Sequence, residues 1–192
     1  MRRPQLILAS ASPRRARLLR QIGIEFDVLP VDIDETRRAG EPVRDYVLRL
    51  ALDKAQAAVC AARSGLPVLG ADTAICLDGA MLGKPADKRE ALAMLAALSG
   101  RDHLVYTGVA MSAAGRHAQR LSCTRVRFRE ISAAEREAYW MTGEPRGKAG
   151  AYAIQGQAAV FVTALHGSYS GVMGLPLAET GELMRAFGIG IF

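Results

Sequence analysis

Short apolar runs alternate with amphipathic stretches along all 192 residues, the order expected when strands and helices are interleaved rather than segregated. Gln5 to Ser10 predicts a strand, Pro13 to Ile22 a helix with Leu18, Leu19 and Ile22 apolar, and Glu25 to Pro30 a second strand. A longer helix follows from Pro42 to about Ser64, with an apolar stripe through Val43, Val47 and Leu50. Steps of four, three and four residues keep one helix face, so the next position on that stripe is Lys54. A lysine on an inward face is costly to bury unpaired. Lys54 is therefore expected to meet a carboxylate or an anionic ligand, unless the stripe ends at Leu50 and the side chain snorkels to solvent.

Pro67 to Thr73 predicts an apolar strand ending in a carboxylate, Asp72, and ends of strands in α/β sheets are common places for catalytic groups. Ile75 to Leu82 carries Asp78-Gly79 between apolar flanks, a tight-hairpin signal, and Gly83-Lys84-Pro85 leaves it with a lone lysine beside a turn. Asp87 to Leu98 predicts a helix opened by Asp87 and Glu90 and closed by Gly100. His103 to Ala113 and His117 to Ile131 predict a β-ribbon turning at Ala114-Gly115-Arg116. Its second strand changes parity between Leu121, Cys123 and Val126, Phe128, which a bulge near Thr124 would reconcile. Arg125, Arg127 and Arg129 then share the opposite side, most simply as solvated surface. Ser132 and Glu135 form a capping box for a helix ending at Gly143. The glycine-rich loop Gly147 to Gly156 suits close approach to a ligand, and a last strand, Ala158 to Leu165, leads through Gly167 to Gly171 to a terminal helix, Leu177 to Phe187.

Two segments carry opposite charge. Ser10-Ala11-Ser12-Pro13-Arg14-Arg15 joins a strand to a helix start: Ser12 is placed to cap, Pro13 sacrifices only an orphan donor, and the free amides, helix dipole and two guanidiniums favour phosphate. Asp32-Ile33-Asp34-Glu35 gathers carboxylates, with Asp32 and Asp34 alternating to one side of an extended segment and Glu35 where it ends. Clustered carboxylates repel one another unless cations neutralise them, and hard oxygen ligands suit magnesium or manganese. An acidic cluster, Asp72, isolated Lys54 and Lys84, and a basic helix start are the parts phosphoryl chemistry requires.

Composition narrows the choice. The net charge of +6 suits an anionic ligand, but aromatics make up 6% of the chain and do not interleave with basic runs, so a single-strand stacking platform has little support. Three widely spaced cysteines argue against a disulfide framework and for a reducing, cytoplasmic setting. His103, His117 and His166 lack metal-ligand spacing, and no apolar run reaches the ~18 residues of a membrane span. One domain spanning 1–192, of two lobes, is expected from the length.

Leu8 to Arg15, Asp34-Glu35, Arg49-Leu50-Ala51 with Lys54, Gly70-Ala71-Asp72-Thr73, Gly83-Lys84-Pro85, Lys148 to Gly156 and Gly174-Leu175-Pro176-Leu177 together resemble the Maf family of nucleoside triphosphate pyrophosphatases over essentially the whole chain. The resemblance implies a Maf/ITPase-like α/β fold, a mixed, elongated twisted sheet with flanking helices around a central cleft. It also implies a cytoplasmic, metal-dependent hydrolase that splits a nucleoside triphosphate between its α and β phosphates, with dimerisation expected by resemblance alone. The dTTP/UTP branch is the nearer match, because it pairs an arginine, a threonine and a glutamine at the positions of Arg14, Thr73 and Gln155, where the 7-methyl-GTP branch typically has tryptophan for that arginine. A glutamine amide both donates and accepts, as a uracil or thymine edge requires, and such polar pairing can discriminate by up to about 10⁴ to 10⁵. Two departures stand out: Ala11 where the family often has glycine, and Gly147 where an aspartate is common before the lysine.

On this reading Asp72 is the general base, Glu35 and Asp72 hold a magnesium or manganese ion, and Ser12, Arg15, Lys54 and Lys84 neutralise the triphosphate. Arg14, Thr73 and Gln155 choose the base, preferring pyrimidines. Alternatives are the same hydrolysis on modified pyrimidine or 7-methylguanine nucleotides, and a non-catalytic nucleic-acid-binding regulator. The last explains the basic residues but not Glu35 and Asp72, since carboxylates repel a phosphate backbone unless a metal intervenes. No stable nucleic-acid partner and no membrane association are expected.

Overall fold

The computed structural model describes residues 3–62, 64–113 and 115–191. One mixed sheet holds the seven strands: β1 (Leu6–Leu8), β2 (Phe26–Val28), β3 (Val68–Leu77), β4 (Ala80–Leu82), β5 (Asp102–Ala113), β6 (Arg116–Phe128) and β7 (Val162–His166). Their order is β2-β1-β3-β5-β6-β7, with β4 also on β3; β1 is parallel to β2 and β3, and all other pairings are antiparallel. The helices are α1 (Pro13–Gln21), α2 (Val43–Ala61), α3 (Lys88–Leu98), α4 (Ala133–Met141), α5 (Tyr169–Met173) and α6 (Leu177–Ala186). No described helix is long and apolar enough to cross a membrane.

Both faces of the sheet are covered, which is why β1 reads as an unbroken apolar run. Leu6 and Leu8 join one core with residues of α1, α3, α4, α5 and α6, whereas Ile7 and Ala9 pack under α2. The helix stripe behaves as its spacing predicts, with Val43, Val47, Leu50 and Lys54 all buried. Two glycines set how closely α2 sits. A Cβ built on Gly70 in β3 would fall 2.1 Å from the Ala51 carbonyl oxygen, and one on Gly108 in β5 would fall 2.4 Å from that of Val47.

The architecture also explains where Asp72 lies, and here the structure differs from expectation. Asp72 is inside β3, not at a strand end, because the strand continues to Leu77 and into the Asp78-Gly79 hairpin. What ends nearby is a neighbour. On one edge of β3, β1 pairs only as far as Leu69 and β4 begins only at Ile75; the other edge is paired with β5 throughout. Between β1 and β4 no described strand pairs with that edge of β3, and the sheet opens beside Asp72 and Thr73.

Other local expectations are corrected in the same way. No bulge occurs at Thr124, because the β5–β6 register runs unbroken from Asp102↔Arg127 to Ala113↔Arg116; β6 instead shifts register against β7, between Arg127 and Phe128. Ser122 and Thr124 are buried together with Val126 and Phe128, whereas Leu121 packs on the α2 side, so the parity change reflects two covered faces. Of the turn expected at Ala114-Gly115-Arg116, Ala114 lies outside the described residues. Gln157–Phe161 forms a 3-10 turn before β7 rather than the start of a strand, and part of the anticipated 167–171 loop is helix α5. Asp32 to Glu35 is loop, not strand. The capping box at Ser132 and Glu135 is present. The basic strand face is partly neutralised: Arg127 pairs with Asp102 at 3.2 Å and Arg129 with Glu135 at 2.7 Å.

His103 is buried among Phe128 and Tyr152, with ring centroids 4.9 and 5.5 Å away, and its Nε2 meets the Tyr152 hydroxyl at 2.8 Å. Its Nδ1 has no partner. Burial holds the imidazolium unfavourable and pulls the folded pKa down to about 4, against the ordinary 6.5.

Gly108→Ala should push α2 off the sheet and lower stability by about 1–3 kcal/mol, read as a lower urea midpoint at unchanged slope; a wild-type midpoint would mean that the close approach is not constraining. His103 is neutral in folded and unfolded chains above about pH 6.5, but below it the unfolded chain takes a proton that the folded one refuses. Stability should therefore fall from about pH 6.5 towards pH 4, by about 3 kcal/mol from this group. His103→Phe should flatten urea midpoint against pH in that window, and an unaltered slope would reject the assignment.

Candidate active site

The opening in the sheet is the floor of a cleft of about 680 Å³. Its walls are the β1–α1 turn from Ala9 to Arg15, Glu35 from the loop after β2, Tyr46 and Lys54 from α2, Asp72 to Ile75 of β3, Lys84 after β4, Lys148 and Tyr152 from the late loop, and Met173-Gly174 at the end of α5. Ser12, Arg14, Arg15, Glu35, Lys54, Asp72, Thr73 and Lys84 all line it, so residues distant in sequence meet as the sequence analysis expects. Gln155 is not among the lining residues. Tyr152 and Ile154, two positions apart, turn to the cleft, and Gln155 follows on the turn closed by the Gly156 amide donating to the Ala153 carbonyl at 2.9 Å.

Lys54 is the centre of the charge pattern. Its Nζ lies 2.7 Å from Asp72 Oδ1 and 2.7 Å from Glu35 Oε1. Lys54 and Asp72 are buried, each 8% exposed, while Glu35 faces the open cleft. Gly70, Asp72 and Ala74 alternate onto the α2 face of β3, and the close seating of α2 on Gly70 and Gly108 brings Lys54 within reach. Burial pushes the Glu35 pKa up, but the Lys54 hydrogen bond and the charges of Lys54, Lys84 and Arg15 outweigh it, so Glu35 stays below the usual carboxylate range.

The loop that bears Glu35 is tied to the helix that bears Lys54. Tyr46 Oη donates to the Glu35 carbonyl at 3.1 Å, and Arg49 Nη2 donates to the Thr36 carbonyl at 3.2 Å. Arg49 also grips Glu41 through two contacts of 2.6 and 2.8 Å. Asp34 accepts from the Thr36 amide at 2.8 Å and so shapes the loop, while Asp32 is exposed. Sequence reading assigns no role to Tyr46. A phenol on the apolar stripe one turn from Leu50 and two from Lys54 is the signal that could have found it.

Arg15 is held by three uncharged acceptors: Nε donates to the Gly174 carbonyl at 2.7 Å, Nη1 to Ser10 Oγ at 3.1 Å and Nη2 to Thr73 Oγ1 at 3.3 Å. Desolvation lowers its pKa, opposed by Asp72, and the charge is poised to gain from an anion entering the cleft. Arg14 Nε donates to the Met173 carbonyl at 3.3 Å, and burial lowers its pKa too. Lys148 reaches the carbonyls of Glu144 and Arg146 at 3.1 and 3.4 Å; burial, then the charge of Arg14, lowers its pKa. Ser12 occupies the N-cap of α1 without a side-chain cap bond, contrary to expectation, and its own amide donates to Ser10 Oγ at 3.2 Å. Its hydroxyl is therefore not committed to the helix.

Among the described residues no cluster of three His, Cys, Asp or Glu side chains is present. The Glu35 and Asp72 pair nevertheless fits a magnesium-type ion, which keeps several waters and is commonly held by one or two carboxylates together with substrate phosphates.

Known proteins carry similar sequences. The chain is 53% identical over 196 residues to a protein of Bordetella avium named dTTP/UTP pyrophosphatase, covering 98% of each chain. It is 50% identical over 186 residues to a protein of that name from Methylococcus capsulatus, covering 97% of this chain and 92% of that one. Among solved structures, the Staphylococcus aureus Ham1 protein is a loose likeness at 17% identity and TM-score 0.43, over 67% of this chain and 72% of that one. A family profile described as Maf-like protein matches residues 5–187. With that match spanning nearly the whole sequence, the chain belongs to the Maf family.

Proposed function

We propose that this cleft hydrolyses dTTP and UTP between the α and β phosphates, releasing the nucleoside monophosphate and pyrophosphate. The observation that carries the proposal is a single ammonium, Lys54 Nζ, placed 2.7 Å from each of two carboxylates in a cleft also lined by Arg15 and Lys84. Cations alone would make a phosphate-binding site. Carboxylates beside them supply a base and ligands for a divalent ion, the combination that hydrolysis needs. The names of the two relatives support the same substrates.

In the mechanism, Asp72 accepts a proton from the attacking water as the water oxygen bonds to the α-phosphorus. The α–β bridging bond breaks, and its electron pair leaves on pyrophosphate. Arg15, Lys54 and Lys84 meet the charge that accumulates on the phosphate oxygens, where preorganised cations in a desolvated cleft contribute most. Ser12, with its hydroxyl free at the start of α1, adds a donor to the same phosphates. Glu35 and Asp72 would hold magnesium or manganese, which when bound neutralises phosphate charge. Arg14 and Thr73 in the wall, with Gln155 adjoining it through Ile154, select the base.

The direct test is pyrophosphate release from dTTP, UTP, CTP, GTP and 7-methyl-GTP with magnesium or manganese. Preference for dTTP and UTP is expected, and preference for another base would overturn the substrate assignment. Asp72→Asn keeps the shape and leaves Lys54 paired with Glu35, so the fold and nucleotide binding should persist while kcat falls by about 10²- to 10⁴-fold. Near-normal turnover would remove Asp72 from the role of base.

A further inference from the structure

Thr73 and Thr107 face each other across β3 and β5, in register, with their Oγ1 atoms 3.0 Å apart. Thr107 is 1% exposed and touches no part of the cleft surface, yet its hydroxyl decides what Thr73 can offer a ligand. A threonine hydroxyl has one proton and two lone pairs. Thr107 Oγ1 donates its proton to the Gly171 carbonyl at 2.8 Å, an atom that can only accept. Between the two threonines, therefore, Thr73 is the donor and its proton is committed inward. Arg15 Nη2, which can only donate, occupies one Thr73 lone pair at 3.3 Å. What remains towards the cleft is one lone pair.

We infer that Thr107 is a positioning residue for base selection: the relay Thr73 to Thr107 to the Gly171 carbonyl fixes Thr73 as a hydrogen-bond acceptor, so this wall takes a nucleobase that presents a donor. Resting on the proposed pyrimidine substrate, it identifies the imide N3–H of uracil or thymine as the group recognised. Cytosine presents a bare N3 there, lone pair against lone pair, and is rejected. Guanine also carries a ring N–H, so the relay separates uracil from cytosine and leaves purines to be excluded by other contacts.

The test compares UTP with CTP, which share a ribose, in wild type, Thr107→Val and Thr107→Ser, reading both kcat/KM and binding affinity. Valine cannot receive the Thr73 proton, so Thr73 regains the freedom to donate. Thr107→Val should narrow the UTP to CTP ratio by about tenfold or more, with a wild-type thermal midpoint as the check on folding, and Thr107→Ser should restore it. An unchanged ratio in a folded Thr107→Val chain overturns the inference, and so does an equal loss with both nucleotides, which would place the contact on the sugar. Should Thr107→Val fail to fold, N3-methyl-UTP with the wild-type chain decides: bound as well as UTP, it overturns the inference. Preferential UTP binding without turnover would count against the hydrolytic reading alone, and binding UTP no better than CTP against the relay.

Discussion

The close seating of α2 on the sheet is the constraint on which the cleft depends. A helix backbone can approach a strand this nearly only where the strand lacks side chains, and Gly70 and Gly108 provide two such positions under Ala51 and Val47. That approach lets a lysine whose neighbours on the stripe are core residues reach Asp72 while still meeting Glu35. Buried Asp72 and Lys54 are each costly alone and tolerable together. The pairing also explains why a charged residue can continue an apolar helix face without disrupting it.

Strand pairing supplies the second condition. A continuous β1 and β4 along β3 would bury Asp72 and Thr73 under backbone hydrogen bonds. Because β1 ends at Leu69 and β4 begins at Ile75, the middle of β3 is open on one edge and remains rigid through its full pairing with β5 on the other. Asp72 points to the α2 side and meets charge. Thr73 points to the opposite side and meets Arg15 and Thr107. Adjacent residues on one strand thus serve reaction and recognition, separated by the alternation of the strand itself.

Rigidity of the surrounding loops comes from side chains that touch neither carboxylate. Tyr46 and Arg49 hold the backbone of Glu35 and Thr36 from α2, and Glu41 holds Arg49. In the late loop, Glu144 accepts from the Tyr139 hydroxyl at 2.6 Å and from the Gln157 and Ala158 amides at 3.0 and 3.2 Å, fixing the segment that brings Lys148 and Tyr152 to the cleft. Glu41 and Glu144 each accept three local hydrogen bonds, which commits them to the loops and not to the chemistry next door.

Periodicity and local chemistry were enough to place α1 to α4, the β3–β4 hairpin, the β5–β6 ribbon and Lys54 on an inward face, because helix stripes, turn residues and caps act over a few neighbouring positions. Composition added an anionic ligand, and the spaced motifs added a family. Tertiary structure alone decided that Asp72 sits in a gap of the sheet rather than at a strand end, that Glu35 and Asp72 share one lysine, that Gln155 falls outside the cleft wall, and that Thr107 sets the polarity of Thr73. The physical reason is range: those facts require groups far apart in sequence, 18 residues for Lys54 and Asp72 and 64 for Thr107 and Gly171, to be brought within hydrogen-bond reach or kept from it, and no local pattern encodes which strand stops first or which hydroxyl receives a proton.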